Sequence, residues 1–258
     1  MGVLKPAGAR DWRHQLAESS RGFGIELSAA QLDAFDTYLS ALLDWNGRVN
    51  LTSVTDPAEI AAVHFLDSIT CLYAHEFDAN ARVIDVGSGG GLPGIPVAIA
   101  RPDLRVTLLE STRKKCGFLE HVIARIPLPG VSVDCRRAED AGRDPMTRET
   151  YDIAMTRAVA DLAVVAELCL PLVKIGGAAL VMKGPKIAAE IARSGDAIST
   201  LGGEPESARR FALPTPSGPA QRVIVVLRKV RPTPEKHPRA PGIPAKRPLG
   251  IDRGNGRG

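Results

Sequence analysis

Residues 83–96, VIDVGSGGGLPGIP, carry a β-branched strand straight into a glycine-rich turn that opens a helix, with Asp85 two positions before Gly87. Glycine has no Cβ, so Gly87, Gly89, Gly90 and Gly91 let the turn take positive φ and bring bare amides close to a ligand that bulkier residues would exclude. The next strand, VTLLE, closes on a second acid, Glu110. It stands about 20 residues further on, where a ribose-binding carboxylate belongs in a doubly wound fold. Strand, turn, helix and second acid together predict a nucleotide-cofactor cradle in an α/β domain.

The cradle reads in two registers. Gly89, Gly91 and Gly94 satisfy G-x-G-x-x-G, the dinucleotide pattern, whereas Asp85, Gly87, Gly89 and Gly91 satisfy the D-x-G-x-G-x-G associated with S-adenosyl-L-methionine. In the first register the last glycine follows Pro93, whose missing amide weakens a pyrophosphate-binding turn built from successive N–H groups. The methyl donor carries no phosphate and has an amino-acid end, so an acid at Asp85 suits it and repels a dinucleotide. S-adenosyl-L-methionine is therefore the expected cofactor. A nicotinamide or flavin dinucleotide, or a turn without any ligand, stand as the alternatives.

At 258 residues with 44% hydrophobic content, the chain can bury one good core and carry an appendage or two. It has no run of about 18 apolar residues, and its start, MGVLKPAGAR, lacks the apolar stretch of a secretory signal. A cytoplasmic protein with no membrane partner is expected. Cys71, Cys116, Cys135 and Cys169 form no C-x-x-C pair and fall inside periodic segments, which predicts reduced, buried thiols and no metal site. The net charge of +4 is unevenly spread, because Arg228 to Gly258 holds nine Lys or Arg against Glu235 and Asp252. This Pro- and Gly-rich stretch is expected to be extended or disordered when free. It serves either as a polyanion contact or as a solubilising tail.

Three units follow from the patterning: a helical cap over 1–80, a cofactor-binding domain over 81–230 and a basic tail over 231–258. In the cap, a first helix runs near Asp11 to Ser19. A second starts at Ser28, where Ser28 and Gln31 form a capping-box pattern. A third starts at Asp56, with Pro57 in its first turn. From Arg82 strands and helices alternate, which predicts a mostly parallel sheet of about seven strands with helices on both faces. Two closing strands are expected near RRFALP and QRVIVVLRKV. This is the arrangement of Rossmann-like class I methyltransferases.

Ligands in open α/β sheets bind outside the carboxyl ends of the strands. Those ends carry Gly87 to Leu92, Glu110, the pair Ala138 and Glu139, then Thr156 and Arg157. Ala138 and Glu139 can offer an amide and a carboxylate to an adenine edge. Arg157 can anchor a phosphate or the cofactor's carboxylate through paired donors, or else form an ion pair with Asp152 or Asp161. Lys183, after the strand in VMKG, carries the same two readings. Lys114 and Lys115 open a helix beyond Glu110, where they either reach nucleic-acid phosphates or form a solvated face. His64, Asp67 and Ser68 share one helix face, which reads as a capped core helix with a satisfied histidine.

The sequence also resembles the RsmG/GidB family, the bacterial 16S ribosomal RNA guanine-N7 methyltransferases. The likeness spans roughly residues 40 to 250 and is carried by WNGRVNLTSVTDP, HFLDSI, VIDVGSGGGLPGIPVAIARPD, LLESTRKKCGFLE, RAE, TRAVA, MKG and HPRAPGIPAKRPL, in that order. The resemblance implies methyl transfer from S-adenosyl-L-methionine to N7 of a guanine in 16S ribosomal RNA or the small subunit, by a chain expected to act as a monomer. It implies cofactor contacts at Gly87, Leu92, Ala138, Glu139 and Arg157, and RNA contacts at Lys114, Lys115, Lys183 and Arg157. Thr156 stands where the family's motif has serine, a mild change because both carry a hydroxyl. No side chain is expected to act as an essential acid or base. Guanine N7 already has an in-plane lone pair, so positioning does the work. A methyltransferase for another RNA site or a protein, and an assembly protein that grips RNA without chemistry, are the competing readings.

Overall fold

The computed structural model describes residues 11–157 and 160–250. The opening decapeptide, Ala158 and Val159 of the TRAVA motif, and residues 251–258 of the basic stretch lie outside them.

The leading helices are α1 (Trp12–Arg21) and α2 (Ala29–Asn46). The expected capping box is present: Gln31 N donates to Ser28 Oγ at 3.3 Å, and Ser28 N donates to Gln31 Oε1 at 2.8 Å. The Gln31 amide nitrogen also reaches the carbonyls of Ile99 and Ala100, at 2.8 and 2.9 Å, so this cap ties the helix to the cofactor domain. The third expected helix is interrupted. It comprises α3 (Pro57–Ile60), a π-helical stretch Ala61–Leu66, α4 (Asp67–Ile69) and α5 (Cys71–Ala74).

The domain that follows alternates β1 (Arg82–Val86), α6 (Gly94–Ala100), β2 (Arg105–Leu109), α7 (Arg113–Ile123), β3 (Val131–Asp134), α8 (Ala138–Ala141), β4 (Tyr151–Thr156), α9 (Leu162–Cys169) and β5 (Val173–Lys183). Helices α10 (Ala188–Arg193) and α11 (Gly195–Thr200) lead to the closing strands β6 (Gly203–Leu213) and β7 (Ala220–Lys229), and the short α12 (Ile243–Lys246) ends the described chain. The seven strands lie in the order β3-β2-β1-β4-β5-β7-β6. The first five are parallel, and β7 pairs antiparallel with both β5 and β6.

Each strand's period of two divides the core between the sheet's faces. Val83, Met155, Leu180 and Ile224 pack with Phe35, Tyr38, Leu42 and Phe65 of the leading helices. Their neighbours Ile84, Ala154, Val181 and Val225 pack with Val165 and Leu170 on the other face. The leading helices therefore share one core with the sheet.

Two expectations need correction. Cys71 and Cys169 are free and buried, but Cys116 and Cys135 form a disulfide. Packing of α7 on β3 brings their Cα atoms to 6.0 Å, a proximity that a separation of 19 residues does not reveal. The basic stretch is not extended as far as Lys246 but folds back over α9. Lys229 is buried, and its ammonium donates to Leu170 O and Thr233 Oγ1, both at 2.6 Å, beside Glu149. Arg148 Nη1 donates to His237 O at 2.8 Å and Arg143 Nε to Pro238 O at 2.7 Å. Arg239 forms a fork on the buried carboxylate of Glu167, at 2.6 Å from Nη2 to Oε2. A strap with few apolar side chains can dock because charge-assisted bonds satisfy its backbone and anchors.

Candidate functional site

Strand order reverses between β1 and β4, and a parallel sheet opens a crevice outside the carboxyl ends at such a point. A cavity of about 470 Å³ occupies it, within the size range of cofactor sites. Its walls come from Val86 and Gly87 after β1, Leu109 and Glu110 after β2, Arg136 to Glu139 after β3, Thr156 and Ala160 around the β4 end, and Leu168 and Cys169 of α9. Pro241, Gly242 and Ala245 of the strap close the outer side.

Gly87, Gly89 and Gly91 take φ of +77°, +58° and +88°. No atom of the described residues beyond its chain neighbours lies within 4 Å of where a Cβ on Gly87 would point, and Gly87 lines the cavity. Behind it, Gly87 N and Ser88 N both donate to Leu109 O, at 2.8 and 3.1 Å. Glu110 is clamped between two amides. Gly89 N donates to its Oε2 at 3.0 Å and Thr112 N to its Oε1 at 2.7 Å, which fixes the carboxylate at the cavity wall.

Asp85 has a different place from the one expected. It is fully buried behind the turn, where Oδ2 accepts from Gly94 N at 2.9 Å and Oδ1 has no hydrogen-bond partner among the described residues. Burial pushes its carboxyl up to about 7, against the opposing pull of the Gly94 amide. The side chain thus locks the turn to the first amide of α6. Leu92 is also buried in the core, and Gly91 is enclosed by Ile95 and Tyr38. Among the expected cofactor positions, Gly87, Glu110, Ala138 and Glu139 line the cavity, while Asp85, Gly89, Gly91 and Leu92 support it.

Arg157 turns away from this cavity into a second one, of about 370 Å³, shared with Asp67, Met182, Lys183, Gly184, Glu190 and Arg222. The π-helical stretch explains its anchorage. Asp67 N reaches back five residues to Ala62 O, which frees the Val63 carbonyl to accept from Arg157 Nη1 at 3.0 Å. The same nitrogen stands 3.2 Å from His64 Nδ1. Burial and the adjacent guanidinium lower the His64 imidazole to about 4, so the ring is neutral, with Nδ1 also 3.0 Å from Val63 O and Nε2 2.6 Å from Thr52 Oγ1. The satisfied histidine read from the sequence is what the structure contains, with Thr52 and Arg157 reaching the ring from outside its own helix.

Neither Asp152 nor Asp161 binds Arg157. They pair with Lys174 and Arg193. Lys183 donates to Ala160 O and, at 2.7 Å, to Glu190 Oε1. Its charge is therefore already partnered. Lys114 is exposed and Lys115 half-buried at the start of α7, beside the Glu110 clamp.

Sequence reasoning missed the strap wall. Gly242 N donates to Glu139 Oε1 at 2.8 Å, so the tail orients a carboxylate of the cavity from 103 residues away. The fragment HPRAPGIPAKRPL carries the docking residues, but its charge pointed to polyanions and nothing local in it marks a cavity wall.

A family model described as GidB, rRNA small subunit methyltransferase G, matches residues 31–217, more than half of the chain. The chain belongs to this family. It is 46% identical to the ribosomal RNA small subunit methyltransferase G of Pelotomaculum thermopropionicum over 234 residues, 91% of this chain and 97% of the relative. A Bacillus cytotoxicus protein of the same name is 42% identical over 226 residues, 88% of this chain and 94% of the relative. Among solved structures, M. jannaschii TYW2 in complex with AdoMet superimposes with a TM-score of 0.50 at 17% identity, over 64% of this chain and 76% of that one. A 16S rRNA (adenine(1408)-N(1))-methyltransferase from Catenulisporales acidiphilia gives a TM-score of 0.50 at 15% identity, over 60% and 90%. These two likenesses show the fold.

Proposed function

We propose that the chain transfers a methyl group from S-adenosyl-L-methionine to N7 of a guanine in 16S ribosomal RNA of the small subunit, in the cytoplasm. The observation that carries this reading is the cavity at the strand-order reversal in a member of the rRNA small subunit methyltransferase G family. The residues fit the cofactor: the clamped carboxylate of Glu110 would hold a ribose, Ala138 and Glu139 would meet an adenine edge, and bare backbone at Gly87 would admit close approach. When bound, the sulfonium supplies an electrophilic methyl group and a good leaving group.

The protein's own contribution is positioning. Holding the acceptor nitrogen in line with the methyl can contribute roughly 7 to 11 kcal/mol, and no side chain has to remove a proton from N7. Thr156 lines the first cavity and Arg157 the second, so the carboxyl end of β4 is where donor and acceptor meet. Lys114 and Lys115 present cations to RNA phosphates on the same side of the sheet, and Arg157 and Lys183 line the acceptor space.

Incubation of undermethylated small-subunit RNA with the protein and S-adenosyl-L-methionine, followed by mass mapping and N7-methylguanosine-specific strand scission, tests the reading. One methylated guanosine that is cleaved by the N7 chemistry is expected. No methylated nucleotide, or one resistant to that scission, contradicts it. An RNA-gripping protein without chemistry would leave the RNA mass unchanged.

A further inference from the structure

The second cavity lies beyond the carboxyl ends of β4 and β5, and its walls are mixed in charge. Arg157, Lys183 and Arg222 face Asp67 and Glu190. Lys183 and Glu190 are paired with each other at 2.7 Å. Asp67 is more constrained than its neighbours. Its side chain is 6% exposed, and Oδ1 accepts from Arg222 Nε at 3.2 Å. Oδ2 stands 3.8 Å from Arg157 Nη1, beyond hydrogen-bond distance. Burial raises the Asp67 carboxyl while the two guanidiniums oppose that rise. Arg157 is itself held by the Val63 carbonyl and His64. A rigid acceptor thus borders a cavity, and nothing in the positioning mechanism above uses it.

We infer that this cavity receives the target guanine and that Asp67 is its specificity residue, accepting from N1–H and the N2 amino group of the base. The inference rests on the guanine-N7 reading. A carboxylate has acceptors only, and guanine is the one standard base whose Watson–Crick edge offers two adjacent donors. Adenine and cytosine present a ring-nitrogen acceptor there, and uracil flanks its single donor with carbonyls. Each would leave a buried acceptor facing another acceptor, the kind of mismatch that gives strong discrimination. The orientation also meets the chemical need. N7 lies on the major-groove edge, across the ring system from N2, so a base held at N1 and N2 keeps N7 free to face the carboxyl end of β4 at Thr156. An arginine fork on O6 and N7, the commoner way to read guanine, would cover the nitrogen that must react. The acid therefore reads the base, while Arg157 and Arg222 hold the acid.

The test compares small-subunit RNA carrying guanosine at the mapped position with the same RNA carrying inosine there, which lacks only the N2 amino group and keeps N7. The wild-type protein is expected to lose about tenfold or more in kcat/KM on the inosine RNA, and Asp67→Asn to be slow on both with a guanosine-to-inosine ratio near one. Calorimetry should find S-adenosyl-L-methionine affinity unchanged in Asp67→Asn. The wild-type ratio needs no variant, so it stands even if the substitution impairs folding. Equal wild-type rates on the two RNAs, a wild-type ratio retained by Asp67→Asn, or a loss of cofactor affinity in that variant overturns the inference and leaves the methyltransferase reading intact. Failure of the wild-type protein to methylate either RNA removes the broader reading and this one with it.

Discussion

A Cβ placed on Gly91 would come within 2.4 Å of Ile95 Cδ1, on a backbone already at φ +88°. Gly87 differs, because its φ of +77° disfavours a side chain but no described residue beyond its chain neighbours comes within 4 Å of the Cβ position. The two glycines should therefore separate stability from binding. Gly91→Ala is expected to cost about 3 kcal/mol or more in chemical denaturation, from overpacking added to left-handed strain. Gly87→Ala should cost about 1–2 kcal/mol yet weaken S-adenosyl-L-methionine binding by tenfold or more in calorimetry. Equal losses in both assays for both variants would contradict the division. Two titrating groups beside the site act in opposite senses. His64, lowered from 6.5 to about 4, contributes stability that is present above pH 6.5 and is lost as pH falls towards 4. Asp85, raised from 3.8 to about 7, contributes stability that is present below about pH 4 and is lost as pH rises through 7. Melting temperatures between pH 4 and 8 should show a flatter acid limb in His64→Gln and a flatter neutral limb in Asp85→Asn. Profiles parallel to the wild type would refute both assignments.

The strap shows what an element contributes without a core of its own. Truncation after Val230 removes the Gly242 amide from Glu139 and the outer wall of the cavity, so cofactor affinity should fall at least tenfold in the fraction that remains folded by circular dichroism. Arg239→Ala leaves Glu167, fully buried, without its guanidinium, and should cost about 3–5 kcal/mol of stability. Unchanged affinity in the truncated chain would show that the strap is only a neighbour of the site. The contrast with the rest of the chain is instructive. The helices at Ser28 and Asp56, the alternation from Arg82 and the paired closing strands were legible because capping, periodicity and turn chemistry act over a few residues. The strap was not legible, since its anchors Glu139, Glu149 and Glu167 lie 70 or more residues away from their partners. The π-helical stretch at Ala61–Leu66 escaped for a related reason. Its freed Val63 carbonyl has meaning only once Arg157 arrives from β4.

At the scale of the molecule, the fold brings the carboxyl ends of β1 and β4 together and sets a cavity on either side of Thr156 and Arg157 at the end of β4. The glycine turn and Glu110 identified the first cavity from sequence. The division of labour among the glycines did not follow from spacing, because Asp85, Gly91 and Leu92 face the core while Gly87 faces the ligand space. No helix among the described residues is long and apolar enough to cross a membrane. The central claim is that the first cavity seats the methyl donor, and a crystal structure of the protein soaked with S-adenosylhomocysteine tests it most directly. The account predicts the ribose at the Glu110 carboxylate and the adenine between Ala138, Glu139 and Gly242, with Asp85 untouched. An empty cavity, or an adenosine lodged elsewhere on the chain, would contradict it.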